Sequence, residues 1–183
     1  MPWKNGGGET AEIAIAPLGS GLQEFDWRIS IARVDGDGPF SVFDGIDRTL
    51  TILRGAGMSL DVRGYAAREL TPESEPFSFP ADIATTATLL AGPITDLNVM
   101  TRRGRAVHCV ARHLLDGGVT VPATSAHTFL VCAAGTVRFE TASGIVVLNE
   151  MDTLRASAED SPLRLTANAP SVVLAIAIDP ART

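Results

Sequence analysis

Apolar positions in this chain recur with a period of two, in short runs, and nowhere sustain the three-to-four-residue spacing of an amphipathic helix. Runs of this kind occupy 12–16, 27–34, 49–54, 58–62, 86–90, 94–99 and 107–115. They continue at 128–133, 137–141, 145–148, 153–156, 163–167 and 172–178. Gly, Pro, Asp and Asn separate them, the residues that tight turns require. Strands this short, at this spacing, predict an all-β sandwich or barrel. Residues 69–80 contain Pro72, Pro76 and Pro80 and predict a surface loop, since proline cannot donate to a ladder. No segment has the composition of a flexible linker.

The pattern repeats weakly along the chain. "RTLTILRGAGMSLDV", from Arg48, can be laid on "HTFLVCAAGTVRFET", from His127, with a gap near the glycines. Each is an apolar strand, a glycine turn and a second strand, and each leads to an acidic residue before another strand, Asp82 and Asp152. The echo predicts two antiparallel β-barrel modules in one compact domain spanning 1–183, with approximate pseudo-repeats 1–103 and 104–183. Curled, paired sheets hide their edges and commonly keep a cavity at the barrel mouth.

Composition narrows the function. The chain is 45% hydrophobic and 20% charged over 183 residues, enough apolar material for a core without staples. Its 21 acidic residues outnumber 15 basic ones, and a net charge of −6 argues against a nucleic-acid partner. Cys109 and Cys132 lie in the apolar runs "VHCVA" and "FLVCAAG" and predict two buried, reduced thiols. The amino terminus has no apolar stretch behind a basic start, and no run reaches the roughly 20 apolar residues of a membrane span. The expectation is a cytoplasmic protein with no membrane partner. Exposed barrel edges make a homodimer a candidate assembly.

Four stretches are more specific than a generic β pattern. They are "PWKNGGGET", "FDWRISIARVDGDGPFSVFDGIDRTLTILRGAGMSL", "FSFPAD" and "LLAGPITDLNVMTRR". In this order they resemble the HutD/Ves family of bacterial proteins, densely over the first hundred or so residues and loosely thereafter. The resemblance implies a bicupin (RmlC-like) fold and an accessory or regulatory role beside histidine degradation or stress responses. It implies urocanate or N-formylglutamate as candidate ligands and brings no settled catalytic activity.

The residues themselves suggest where a small anion would bind. Lys4 and Asn5 precede three glycines, whose backbone N–H groups can approach a ligand, although this is no Walker loop. In "WRISIA", Trp27, Ile29 and Ile31 share one face, and Arg28, Ser30 and Ala32 the other. Arg28 can clamp a carboxylate if its face lines a pocket, with Trp27 then in the core. Asp47 and Arg48 sit at a loop-to-strand junction, where one of them orients a ligand or the pair serves junction salt bridges. Asp96, Asn98 and Met100 share a strand face that makes an odd core but a plausible pocket wall, which Arg102 extends while Arg103 points away.

Metal chemistry has little support. His108, His113 and His127 form no His-x-His, and the first two are five apart and face opposite sides of a strand. No G-x-S-x-G or local Cys/His signature is present. The sequence therefore predicts a metal-independent, cofactor-free protein that binds a small carboxylate through Lys4, Asn5, Arg28, Arg48, Asp96, Asn98 and Met100, with no catalytic residue assigned. The alternatives are a metal-independent isomerase or epimerase and a structural interaction module.

Overall fold

A computed structural model describes residue 3, residues 8–141 and residues 144–182, and within them the alternating runs form β-strands joined by turns, with one 3-10 turn at Ala158–Asp160. The chain divides into two units, Met1–Ala106 with Ala181–Thr183, and Val107–Pro180.

The first unit contains β1 (Gly8–Ala16), β2 (Trp27–Val34), β3 (Gly38–Pro39), β4 (Ile46–Arg54) and β5 (Met58–Val62). It continues with β6 (Arg68–Leu70), β7 (Phe77–Pro80), β8 (Thr85–Leu89) and β9 (Ile94–Arg102). These make a sheet ordered β1-β2-β9-β4-β7 and a second ordered β3-β8-β5-β6. Leu50, Ile52, Met58, Leu60, Val62 and Ile94, drawn from both sheets, form one buried cluster. Around Met100 a smaller cluster gathers Phe25, Phe43, Ile46 and Ala81.

The second unit contains β10 (Ala106–Leu115), β11 (Gly118–Val121), β12 (His127–Ala134) and β13 (Thr136–Thr141). Then follow β14 (Gly144–Asn149), β15 (Thr153–Ala156), β16 (Leu163–Thr166) and β17 (Ser171–Pro180). Its sheets run β10-β17-β12-β15 and β11-β16-β13-β14, the order of β2 to β9 with eight added to each strand number. Strand β1 is an additional edge of the first unit. Leu130, Cys132, Phe139, Leu163, Leu165 and Val173 anchor the core of the second unit.

The shared order fixes which residues correspond. The β4–β9 ladder breaks between Ile52 and Arg54, and the β12–β17 ladder breaks between Cys132 and Ala134. Matching the two bulges puts Ile52 with Cys132, Leu50 with Leu130 and Arg48 with Thr128. The sequence alignment of Arg48 with His127 is thus one residue out, a slip that turns every side chain to the opposite face. Asp82 and Asp152 do not correspond either: Asp82 lies between β7 and β8, Asp152 between β14 and β15.

Two further expectations are corrected. Residues 69–80 are not all loop, because β6 takes the first of them and β7 the last. Strand β7 lies at a sheet edge, where Pro80 can end it, and the stacked rings of Phe77 and Phe79, 5.7 Å apart, hold it to the core. Cys132 is buried but Cys109 is exposed, because β10 is an outer strand of its sheet and much of it is only half-buried.

Candidate functional site

Three adjacent strands, β2, β9 and β4, build the site by alternation alone. Their inward residues lie in cross-strand rows: Arg28, Met100 and Arg48; Ser30, Asn98 and Leu50; Ala32, Asp96 and Ile52. The opposite face of β2 and β9 carries Trp27, Ile29, Leu97 and Val99, all buried, which holds the polar residues in phase. All of these except Leu50 and Ile52, which join the apolar core, wall a cavity of about 500 Å³, completed by residues that include Trp3, Thr10, Leu22, Phe40 and Phe43.

Both arginines are almost fully buried, 5% exposed for Arg28 and 8% for Arg48. Arg28 donates from Nε to Glu12 Oε2 at 2.9 Å and from Nη1 to Ser30 Oγ at 3.4 Å. The Arg48 Nε donates to Asn98 Oδ1 at 2.8 Å, and its Nη2 donates to the same oxygen. Its guanidinium carbon lies 4.4 Å from the centre of the Phe40 ring, a cation–π contact that stiffens the side chain. Among the described residues, Nη2 of Arg28 and Nη1 of Arg48 donate to no hydrogen bond.

Asn98 links the cation to an acid. Its Nδ2 donates to Asp96 Oδ1 at 2.7 Å, and the Ala32 backbone N–H bonds to the same carboxylate. Burial pushes Asp96 up to about 6, although Arg48, Asn98 and Ala32 all favour its charged form. Burial likewise pushes Arg48 down to about 10; Asp96 opposes that shift and Arg28 adds to it.

The structure brings Arg28, Arg48, Asp96, Asn98 and Met100 into one cavity wall. Lys4 and Asn5 lie outside the described residues. Asp47 faces away and takes the junction role: Arg103 Nη1 donates to its Oδ1 at 2.6 Å, and Nη2 of the same arginine donates to Asp82. Arg102 does not extend the pocket wall. It donates to the carbonyls of Phe25 at 2.9 Å and Gln23 at 2.8 Å, fastening the loop before β2.

Sequence reasoning missed Trp3, Glu12 and Phe40. Trp3 Nε1 donates to Thr10 Oγ1 at 2.8 Å, and its backbone N–H to Gly8 O at 2.8 Å. Gly8 itself must be glycine, since a Cβ there would stand 2.1 Å from the Arg33 carbonyl oxygen. The available signal was "GPFSVF", where two aromatics in a turn-rich stretch have no alternation to explain them.

The donor set does not fit a divalent cation. Among the described residues, two guanidinium groups and one carboxylate line the cavity, and no histidine does. Elsewhere among the described residues, no cluster of three or more His, Cys, Asp or Glu could hold a metal. His127 Nδ1 lies 3.1 Å from Arg155 Nη2.

The second unit does not repeat this wall. In ladder register, Val173, Ala175 and Ala177 pair with Cys132, Leu130 and Thr128, as Asp96, Asn98 and Met100 pair with Ile52, Leu50 and Arg48. The counterparts of Arg48, Asp96, Asn98 and Met100 are therefore Thr128, Val173, Ala175 and Ala177. Val173 and Ala175 belong to the hydrophobic core of that unit. Among the described residues, the buried charged side chains, Arg28, Arg48 and Asp96, all lie in the first unit.

Known proteins agree with this architecture. Distant solved structures share the fold, among them a cupin 2 conserved barrel domain protein from Leptotrichia buccalis, 9% identical with a TM-score of 0.59 over 94% of this chain and 89% of that one. With the antiparallel sheets above, this makes the fold a cupin fold. A conserved protein of unknown function from Pseudomonas aeruginosa PAO1 is 34% identical, with a TM-score of 0.87 over 98% of this chain and 93% of that one. HutD from Pseudomonas fluorescens SBW25, solved in a formate condition, is 32% identical, with a TM-score of 0.80 over 100% of this chain and 94% of that one. A 21.2 kDa protein from the hutC 3′ region of Pseudomonas putida is 45% identical over 100 residues, 55% of this chain and 52% of that protein. Protein Ves of Citrobacter koseri is 41% identical over 104 residues, 56% of this chain and 53% of that protein. The chain thus spans about half the length of the curated relatives it matches. The HutD family model matches residues 1–175, and the chain belongs to the HutD/Ves family.

Proposed function

We propose that the first unit binds a small carboxylate metabolite, of the urocanate or N-formylglutamate kind, and that the protein is an accessory or regulatory component of histidine utilisation. The observation that carries this reading is the pair of buried arginines whose outer N–H groups reach the cavity without a partner among the described residues. These nitrogens open onto the cavity, and a carboxylate oxygen is the group that pairs with a guanidinium best. Phe40, Phe43 and Leu22 supply an apolar wall for the rest of a small, planar molecule. The pathway assignment draws on the family and on the hutC-region relative.

A thermal-shift screen against urocanate, N-formylglutamate, histidine and formate, with and without EDTA, tests the reading. A ligand that binds the native state raises the melting temperature in proportion to the logarithm of its concentration. A dose-dependent rise with a carboxylate, unchanged by EDTA, is expected. No rise with any of the four would count against it.

A further inference from the structure

The cavity wall balances its own charge. Arg28 is paired with Glu12 through Nε, and Arg48 is coupled to Asp96 through the Asn98 amide. An anion entering between the two guanidinium groups would leave this set, in which Glu12 alone is exposed, with one uncompensated negative charge. Beside a carboxylate as buried as Asp96 that excess is expensive, and protonation of the acid removes it.

Asp96 is placed to be that acid. It sits one row below Asn98 in the ladder, about 7 Å along the strand, close enough to feel charge at the arginines. Among the described residues, the charged groups facing it are Arg48 on β4, Arg28 on β2 and, beyond Arg28, Glu12 on β1. Strand β3 and the loop after it contribute Pro39, Phe40, Ser41 and Phe43, and the second sheet contributes the apolar cluster of Met58, Leu60 and Val62. A proton on Asp96 Oδ2 leaves the Asn98–Oδ1 bond in place, so it changes the charge without dismantling the chain that orients Arg48.

We infer that the cavity takes up its anion together with one proton, which Asp96 holds, so that the occupied site carries no added charge. This rests on the reading that the cavity binds a carboxylate. The proton comes from solvent and no bond in the ligand is broken. With Asp96 at about 6 in the free protein, proton uptake is visible near neutral pH, where the free carboxylate is mostly ionised. Asp96 acts through Asn98 and is a positioning residue.

Isothermal titration with formate, between pH 5.5 and 8 in two buffers of different ionisation enthalpy, counts the protons. Wild type is expected to take up more than half a proton per formate at pH 7, with affinity falling about tenfold per pH unit above about 6. Asp96→Asn is expected to bind with no uptake and no pH slope. Wild-type binding without uptake, or a slope that survives in Asp96→Asn, would overturn the inference while leaving the carboxylate reading intact. No binding of formate, urocanate or N-formylglutamate at any pH would remove both. If the variant does not fold, the wild-type proton count decides alone.

Discussion

Arg28 and Arg48 are the two register partners of Met100, one on each neighbouring strand, so two buried guanidinium groups flank a single residue of β9. Like charges brought this close at buried positions need compensation. Glu12 and the Asp96–Asn98 pair provide it, and both are reached by side-chain hydrogen bonds rather than by chance proximity.

Asp96 sets a pH dependence of stability. Its folded value of about 6 lies above the ordinary 3.8, so the folded protein binds the proton more tightly than the unfolded chain. The linkage then makes this group's contribution fall as pH rises from about 4 to about 6, by roughly 3 kcal/mol, and flatten above. Urea unfolding of wild type and Asp96→Asn across pH 4–8 checks this. The difference in unfolding free energy should shift in favour of the Asn variant through that window and then hold constant.

Arg102 and Arg103 are adjacent and should behave differently. Arg102 fastens the loop before β2 through the carbonyls of Gln23 and Phe25, which would otherwise lose their partner. Arg102→Ala should cost about 2 kcal/mol. Arg103 pairs with Asp47 and Asp82, but its side chain is 40% exposed, so solvent weakens both pairs. Arg103→Ala should cost under about 1 kcal/mol despite its two carboxylate contacts. Denaturant midpoints of the two variants rank them.

Much of this wall was legible in the sequence, because alternation has a phase and the phase was marked. Ile29 and Ile31 on β2, and Leu97 and Val99 on β9, alternate with Arg28, Ser30, Asp96 and Asn98, so choosing the core side selects the pocket side. Trp3 and Phe40 reach the cavity from the approach to β1 and the β3–β4 loop, and Glu12 reaches Arg28 from edge strand β1, where no periodicity announces direction. The bulge after Ile52 left no mark in the sequence, and without it the internal alignment slipped by one residue. Strand β7 hid behind its prolines because edge strands tolerate what central ones cannot.

Thr51 offers a stability gain. Its Oγ1 is buried and has no hydrogen-bond partner among the described residues. Valine has nearly the same shape and no polar atom to strand. Thr51→Val should raise the unfolding free energy by about 1 kcal/mol, read from the denaturant midpoint.

The thiols should differ in reactivity. Cys109 is exposed, whereas Cys132 is buried and pushed up to about 11, chiefly by burial. A chromogenic thiol reagent at pH 8 should label one cysteine rapidly in the native protein and both in denaturant. Mass spectrometry of the native adduct should place the label on Cys109.

The most direct test of the central claim is calorimetric titration of urocanate and N-formylglutamate into wild type and Arg48→Met at one pH. Methionine keeps most of the side-chain volume and removes the guanidinium group. Losing a charge-assisted, paired contact should weaken a carboxylate ligand by about tenfold to a hundredfold, with the fold retained by circular dichroism. Equal affinity in the two proteins, or binding that survives replacement of both Arg28 and Arg48, would contradict the assignment of the first unit's cavity as the anion site.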